Sequence, residues 1–134
     1  MASIWWEEPV AVSAEVAWNA LRRTGEAHRL FSPVLADGAM DGDVRVVTFA
    51  NGMVVRERIV DVDEERRRLS YSVMGDLFDH HSGSMQIVPV DEGRCRFVWV
   101  SDFLPDERRA VVLPLVEQGS RALAENLESG RLND

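Results

Sequence analysis

The residues best suited to chemistry in this sequence are a histidine, a glutamate and a tyrosine: His81, Glu57 and Tyr71. A histidine can take up or release a proton near neutral pH, and a carboxylate can serve as a general base or acid. A phenol can donate a hydrogen bond to a bound molecule. These roles require the three side chains to meet in one shielded place, so the surrounding elements decide whether the chemistry is available.

Turn residues recur at close spacing between residues 34 and 103, which predicts an antiparallel meander of strands. The clearest signals are Asp41-Gly42, Asn51-Gly52 and Asp91-Glu92-Gly93. Asn-Gly and Asp-Gly favour tight hairpins because the central residues of those turns adopt positive φ.

The loop lengths predict which residues lie opposite one another, and opposite residues share a face of the sheet. A two-residue loop at Asn51-Gly52 predicts the pairs Thr48 with Val55, Val46 with Glu57, and Val44 with Ile59. A three-residue loop at 63–65 predicts Ile59 with Leu69, Glu57 with Tyr71, and Val55 with Val73. A loop at 91–93 predicts Ile87 with Phe97, Met85 with Trp99, and His81 with Phe103. On this interpretation Arg45, Arg56 and Arg58 face water, as does His80.

Helical patterns flank the meander on both sides. An opening strand is predicted at about 3–10, followed by a helix with Ser13 as its N-cap and a short helical segment at about 26–31. After Pro105, apolar residues recur on one face of a long helix. The centre of that face holds Gly119 and Ala122, which are too small to fill the space over a curved sheet, so we predict a cavity there.

Each polar candidate also has a purely structural interpretation. His81 could be a core histidine bonded to a backbone carbonyl, and Glu57 and Tyr71 could satisfy each other or Glu57 could reach the outer rim. Cys95 reads as a small buried residue rather than a reactive thiol. Adjacent strand residues point to opposite faces, which argues against a metal site at His80 and His81.

The predicted cavity would be lined by apolar and aromatic side chains with a few polar groups; equally, these side chains could fill a dry core. The candidate ligand-binding residues are Phe31, Thr48, Val55, Met85, Phe97, Trp99, Ser101, Leu115, Gly119, Ala122 and Leu123.

Composition narrows the classes of partner. The formal net charge of −8 disfavours binding to nucleic acid or to anionic membranes. No secretory signal or membrane-spanning segment is visible, so a soluble cytoplasmic protein with one domain, residues 1–134, is expected. No nucleotide-binding or hydrolase motif is present either, and we expect no cofactor and no metal.

The sequence resembles the START-like (SRPBCC) superfamily, in particular its polyketide cyclase and dehydratase branch. The matching stretches are VAWNAL, NGMVVRERIVDVDEERRRLSYSV, HSGSMQIVPVDEGRCRFVWVSDFLP and GSRALAENLES. The resemblance implies an α+β helix-grip fold, as in the birch pollen allergen. In that fold a curved seven-stranded antiparallel sheet wraps around a long C-terminal helix, with two short helices between strands 1 and 2. It also implies a deep pocket between sheet and helix.

Three functions are compatible with these observations. The first is a cyclase or dehydratase that acts on a hydrophobic, polyketide-derived molecule through proton transfer by His81 and Glu57 with Tyr71. The second is a module that stores, carries or senses an apolar ligand unchanged. The third is an interaction protein that uses its outer face, where Val47, Phe49 and Val60 would form an apolar row and a candidate homodimer contact.

Overall fold

The computed structural model describes residues 2–132, which form one seven-stranded antiparallel sheet and three helices. The strands, in chain order, are β1 (Ala2–Val10), β2 (Leu35–Asp41), β3 (Val44–Phe49), β4 (Val54–Asp63), β5 (Arg68–Met74), β6 (His80–Asp91) and β7 (Arg94–Leu104). The helices are α1 (Ala14–Leu21), α2 (Ala27–Leu30) and α3 (Arg109–Glu128). This is the predicted helix-grip arrangement, with the short helices between β1 and β2.

Strands follow one another across the sheet except at one edge, where β1 pairs with β7; the order is β1-β7-β6-β5-β4-β3-β2. Ser13 caps α1 as predicted, because its hydroxyl accepts a hydrogen bond from the Val16 backbone N–H at 3.1 Å. Among residues 2–132, no helix has the length and apolar character needed to cross a bilayer.

The long helix α3 closes the concave side of the sheet. Its buried residues include Val112, Val116, Ala122, Leu123 and Leu127, which lie on the face predicted from the sequence. Pro114 lies on the exposed side of the helix, where it does not interrupt the packing.

Asn126, near the C-terminal end of α3, fastens the α2 segment to the long helix. Its side-chain amide donates hydrogen bonds to the backbone carbonyls of Leu30 and Ser32, both at 2.9 Å. These two carbonyls lie at and just beyond the end of α2, where a helix leaves its last acceptors without intrahelical partners. The amide therefore fixes α2 over the concave side of the sheet.

The register of β6 and β7 is as predicted. His81 lies opposite Phe103, Met85 opposite Trp99, and Ile87 opposite Phe97.

The predicted register of β3 and β4 is wrong by one residue. Thr48 pairs with Val54 rather than Val55, and Arg45 rather than Val46 lies opposite Glu57. The reason is that Asn51 and Gly52 belong to a three-residue loop, Ala50 to Gly52, closed by a 2.8 Å hydrogen bond from the Phe49 N–H to the Met53 carbonyl. Gly52 takes the left-handed position, with φ of 92°.

This shift exchanges the two faces of β3, because successive strand residues point to opposite sides. Arg45 is turned inward and is only 2% exposed, and Val47 is equally buried. The predicted outer apolar row is therefore wrong for Val47 and Phe49, and only Val60 is exposed. Thr48 lies on the face opposite to its predicted one.

The predicted pairs between β4 and β5 are also wrong. Tyr71 lies opposite Ile59, and Glu57 lies opposite Val73, because the loop is longer than expected and the register shifts between Ile59 and Asp61. The two changes together move each pairing by an even number of residues, so the inward set is preserved. Glu57 and Tyr71 both still line the concave side.

Candidate functional site

Two small pockets lie between the concave face of the sheet and α3. The first has a cavity volume of about 50 Å³ and the second about 40 Å³. Both are lined by Phe49, Glu57, Trp99 and Leu115, so these four side chains form the wall between them. His81, Tyr71 and Ser101 line the first pocket, together with Glu57.

The expected single large cavity is absent from the part of the chain that the structure describes, because Trp99 fills the space left by the small residues of α3. A Cβ atom added at Gly119 would lie 3.1 Å from Cζ3 of Trp99. Phe31 and Phe97 pack around the same indole, with ring centroids 5.7 and 6.0 Å from it. Gly119 therefore accommodates an aromatic side chain rather than an empty volume.

His81, at the start of β6, is held by one hydrogen bond and two rings. Its Nε2 lies 2.8 Å from Oγ of Ser101, and the ring centroids of Phe78 and Phe103 are 4.4 and 5.8 Å away. Burial, with a smaller contribution from neighbouring His80, lowers the pKa of His81 from its ordinary 6.5 to about 4, and Asp102 opposes the change. The imidazole is therefore neutral at pH 7.

The second ring nitrogen of His81 is buried, and Nδ1 has no hydrogen-bond partner among residues 2–132. Buried polar atoms without partners are uncommon, and those near a pocket point to a role for a bound water or ligand. The carbonyl partner considered for a purely structural histidine is not the one observed at Nε2.

Tyr71 reaches across β6 because Gly83, its cross-strand neighbour, has no side chain. A Cβ atom at Gly83 would overlap the phenol ring. The Tyr71 hydroxyl accepts a hydrogen bond of 2.9 Å from Nε1 of Trp99 on β7. Burial, and secondarily the negative charge of Glu57, raises the pKa of Tyr71 well above its ordinary value, so the phenol keeps its proton.

Glu57 is paired with Arg45 rather than with Tyr71. The Arg45 guanidinium donates to Oε1 of Glu57 through Nη2 at 2.9 Å and through Nε at 3.0 Å. It also donates through Nη1 to the Thr24 carbonyl at 3.4 Å and lies 5.9 Å from the Tyr71 ring centroid. A largely buried cation thus accompanies the buried carboxylate, as the cost of burying a lone charge requires.

The predicted ligand-binding residues divide into three groups. Val55, Trp99, Ser101 and Leu115 line the first pocket. Phe31, Met85, Trp99, Leu115 and Gly119 line the second. Phe97, Ala122 and Leu123 are buried in the packed core without lining either pocket, and Thr48 lines neither.

Several lining residues were not predicted. Arg45 and Phe49 were assigned to the outer face through the register error, and Leu77 and Phe78 belong to the β5–β6 loop. Two adjacent apolar residues in a loop between Gly75-Asp76 and the histidines were an available signal for Leu77 and Phe78. Cys95 is 1% exposed, and burial raises the pKa of its thiol to about 11, consistent with a small buried residue.

A curved antiparallel sheet closed by a long C-terminal helix, with two apolar pockets beneath that helix, defines a helix-grip protein of the START-like class. Residues 1–129 match the family model for polyketide cyclase / dehydrase and lipid transport proteins. The chain belongs to that family. No curated protein matches its sequence.

Solved structures show the same fold. XoxI from Bacillus cereus superposes with a TM-score of 0.85 at 18% identity, covering 95% of this chain and 96% of that one. Norcoclaurine synthase from Thalictrum flavum, in complex with dopamine and hydroxybenzaldehyde, gives 0.74 at 22% identity, with 98% and 87% covered. The di-domain ARO/CYC BexL from the BE-7585A biosynthetic pathway gives 0.82 at 15% identity, with 98% and 48% covered.

Proposed function

We propose that this protein binds a hydrophobic, polyketide-like small molecule between the sheet and α3, and that it promotes ring closure or dehydration by proton transfer. The observation that carries the proposal is the meeting of His81, Tyr71 and Glu57 at one otherwise apolar pocket. Family membership supports the same class of ligand.

The two pockets are too small for such a ligand while their common wall stands. Sites for drug-sized molecules enclose roughly 300–1,000 Å³, whereas these have about 50 and 40 Å³. Binding therefore requires Trp99 and Leu115 to move so that the pockets join. Phe78, in the loop beside His81, would move with them at the entrance.

In the proposed reaction, the neutral His81 imidazole removes a proton from a carbon next to a ligand carbonyl. The Tyr71 hydroxyl, which keeps its proton, donates a hydrogen bond to the oxygen on which negative charge develops. Glu57 holds Arg45 in place and supplies a fixed negative charge near the phenol. Positioned proton transfer contributes roughly 10²- to 10⁴-fold, so folding the ligand for ring closure must supply much of any remaining acceleration.

A carrier that leaves its ligand unchanged is the second candidate. The observation that favours it is that Glu57, Tyr71 and His81 each already have a protein partner, which is also expected of groups that only orient a ligand. The same pockets and the same opening would serve either function.

The experiment compares binding with turnover in the same variants. Native mass spectrometry and Trp99 fluorescence measure binding of an aromatic β-ketone probe, and chromatography measures cyclised or dehydrated product. We expect His81→Gln to bind the probe with similar affinity but to lose turnover by roughly 10²-fold or more. His80→Gln, whose side chain lies on the outer face, is the matched control.

Equal turnover in wild type and His81→Gln would refute the catalytic role and leave the carrier function. Failure of the wild type to bind any apolar probe would refute both. Glu57→Gln is a poor first test, because it removes the partner of buried Arg45 and destabilises the fold.

A further inference from the structure

Ser101 lies beside His81 in the geometry of a nucleophile and its base. Its Oγ is 2.8 Å from Nε2 of the imidazole, within the range expected for proton transfer between such groups. The serine is only 1% exposed, yet it lines the first pocket together with His81. A hydroxyl so placed meets either a ligand or nothing but protein.

The cross-strand row explains how a third group reaches the same point. Tyr71, Gly83 and Ser101 lie opposite one another on β5, β6 and β7. Because Gly83 leaves its position empty, the Tyr71 ring crosses β6 and its hydroxyl reaches β7, where Trp99 donates to it. The phenol proton is then available to an oxygen atom in the pocket.

We propose that Ser101 is a nucleophile activated by His81, and that the first pocket accepts the acyl group of an ester or thioester of an apolar carboxylic acid. This activity goes beyond the proposed cyclisation or dehydration. It needs neither Glu57 nor joined pockets, because a small acyl group requires only the first pocket.

In the acylation step, Oγ of Ser101 attacks the carbonyl carbon while its proton passes to Nε2 of His81. The Tyr71 hydroxyl donates a hydrogen bond to the resulting oxyanion. The carbon–oxygen or carbon–sulfur bond to the leaving group then breaks, and the leaving alcohol or thiol takes the proton from His81. In deacylation a water molecule gives a proton to His81, its oxygen attacks the acyl carbon, and Ser101 leaves and regains a proton.

His81 differs from the histidine of a full triad, because no carboxylate holds Nδ1 within residues 2–132. The rings of Phe78 and Phe103 position the imidazole instead. Loss of the orienting acid costs roughly 10⁴-fold in a full triad. We therefore expect slow acylation and slower release, so that the acyl-serine accumulates.

The experiment exposes the full chain to 4-nitrophenyl acetate and 4-nitrophenyl butyrate and follows both nitrophenolate release and protein mass. The sequence contains no lysine, so side-chain amines do not add background labelling. We expect one acyl group per chain, located on Ser101 by tandem mass spectrometry. Ser101→Ala should abolish this label, and His81→Gln should slow it by roughly 10²- to 10⁴-fold.

Ser84→Ala is the matched control, because Ser84 lies on the outer side of β6; its labelling should equal that of the wild type. Circular dichroism shows whether each variant is folded. The labelling rate should also be flat between about pH 6 and 8, since His81 is already neutral there, whereas hydroxide-driven acylation rises about tenfold per pH unit.

Absence of label on Ser101 with both esters would overturn the inference, as would a label that resides on Tyr71 or that persists at an unchanged rate in His81→Gln. None of these results bears on probe binding or on turnover of a β-ketone, so failure here is distinguishable from failure of the proposed function.

Discussion

Replacing His81 with glutamine should change how the stability of the fold depends on pH. The folded protein disfavours a proton on this imidazole, because burial lowers the pKa of His81 from 6.5 to about 4. Between those two values the unfolded chain binds a proton that the folded protein does not. The free energy of unfolding therefore falls as the pH drops from about 6.5 to 4, and rises as the pH is raised through the same window.

The size of the effect follows from the gap between the two pKa values. At about 1.4 kcal/mol for each pH unit, the full gap corresponds to roughly 3 kcal/mol. His81 retains some contact with solvent, and Asp102 partly offsets the contributions of burial and His80. We therefore expect about 2 kcal/mol between pH 7 and pH 4.

The assay is urea unfolding of wild type and His81→Gln at several pH values across that window. Glutamine does not titrate, so the stability difference between the two proteins should shift by about 2 kcal/mol in favour of the variant as the pH falls. His80→Gln, at the neighbouring exposed position, is the control and should shift much less. Parallel pH profiles for wild type and His81→Gln would refute the account of a buried neutral imidazole.

Two further substitutions test other parts of the site. Gly83→Ala should destabilise the fold by roughly 1–3 kcal/mol in urea unfolding, because the new methyl group displaces the Tyr71 ring; Gly93→Ala, where an added Cβ meets nothing, should be close to neutral, and equal effects would contradict the steric argument. Glu57→Gln should cost roughly 3 kcal/mol in thermal or urea unfolding, because it leaves the Arg45 guanidinium buried without a carboxylate. If Glu57→Gln and the double variant with Arg45→Met were equally unstable, the ion pair would not be the cause.

The order of elements and the long helix were predictable, because they depend on patterns that extend over many residues. The periodicity of α3 and the inward position of His81 both follow from such patterns. The loop at 91–93 was predicted with the correct length, and the register of β6 and β7 followed from it. Long patterns average over local exceptions, and a correct loop length fixes a whole hairpin.

The charged pair was not predictable from the same reasoning. An Asn-Gly pair fits a two-residue hairpin as well as a three-residue loop with glycine in the left-handed position, and the two differ by one residue in register. That one residue decided whether Arg45 was assigned to water or to the partner of Glu57. The volume of the pockets was equally inaccessible, because it depends on how the Trp99 side chain packs against Gly119.

The three-residue loop from Ala50 to Gly52 has a consequence that extends far beyond the surface on which it lies. Deleting a single residue there would turn β3 over, so that Val46 and Thr48 would face the interior in place of Arg45 and Val47. Glu57 would then have no cation beside it. The chemical character of the interior is thus set by the length of a hairpin, and insertions or deletions at this turn are a direct route by which relatives of this protein could exchange a charged interior for an apolar one.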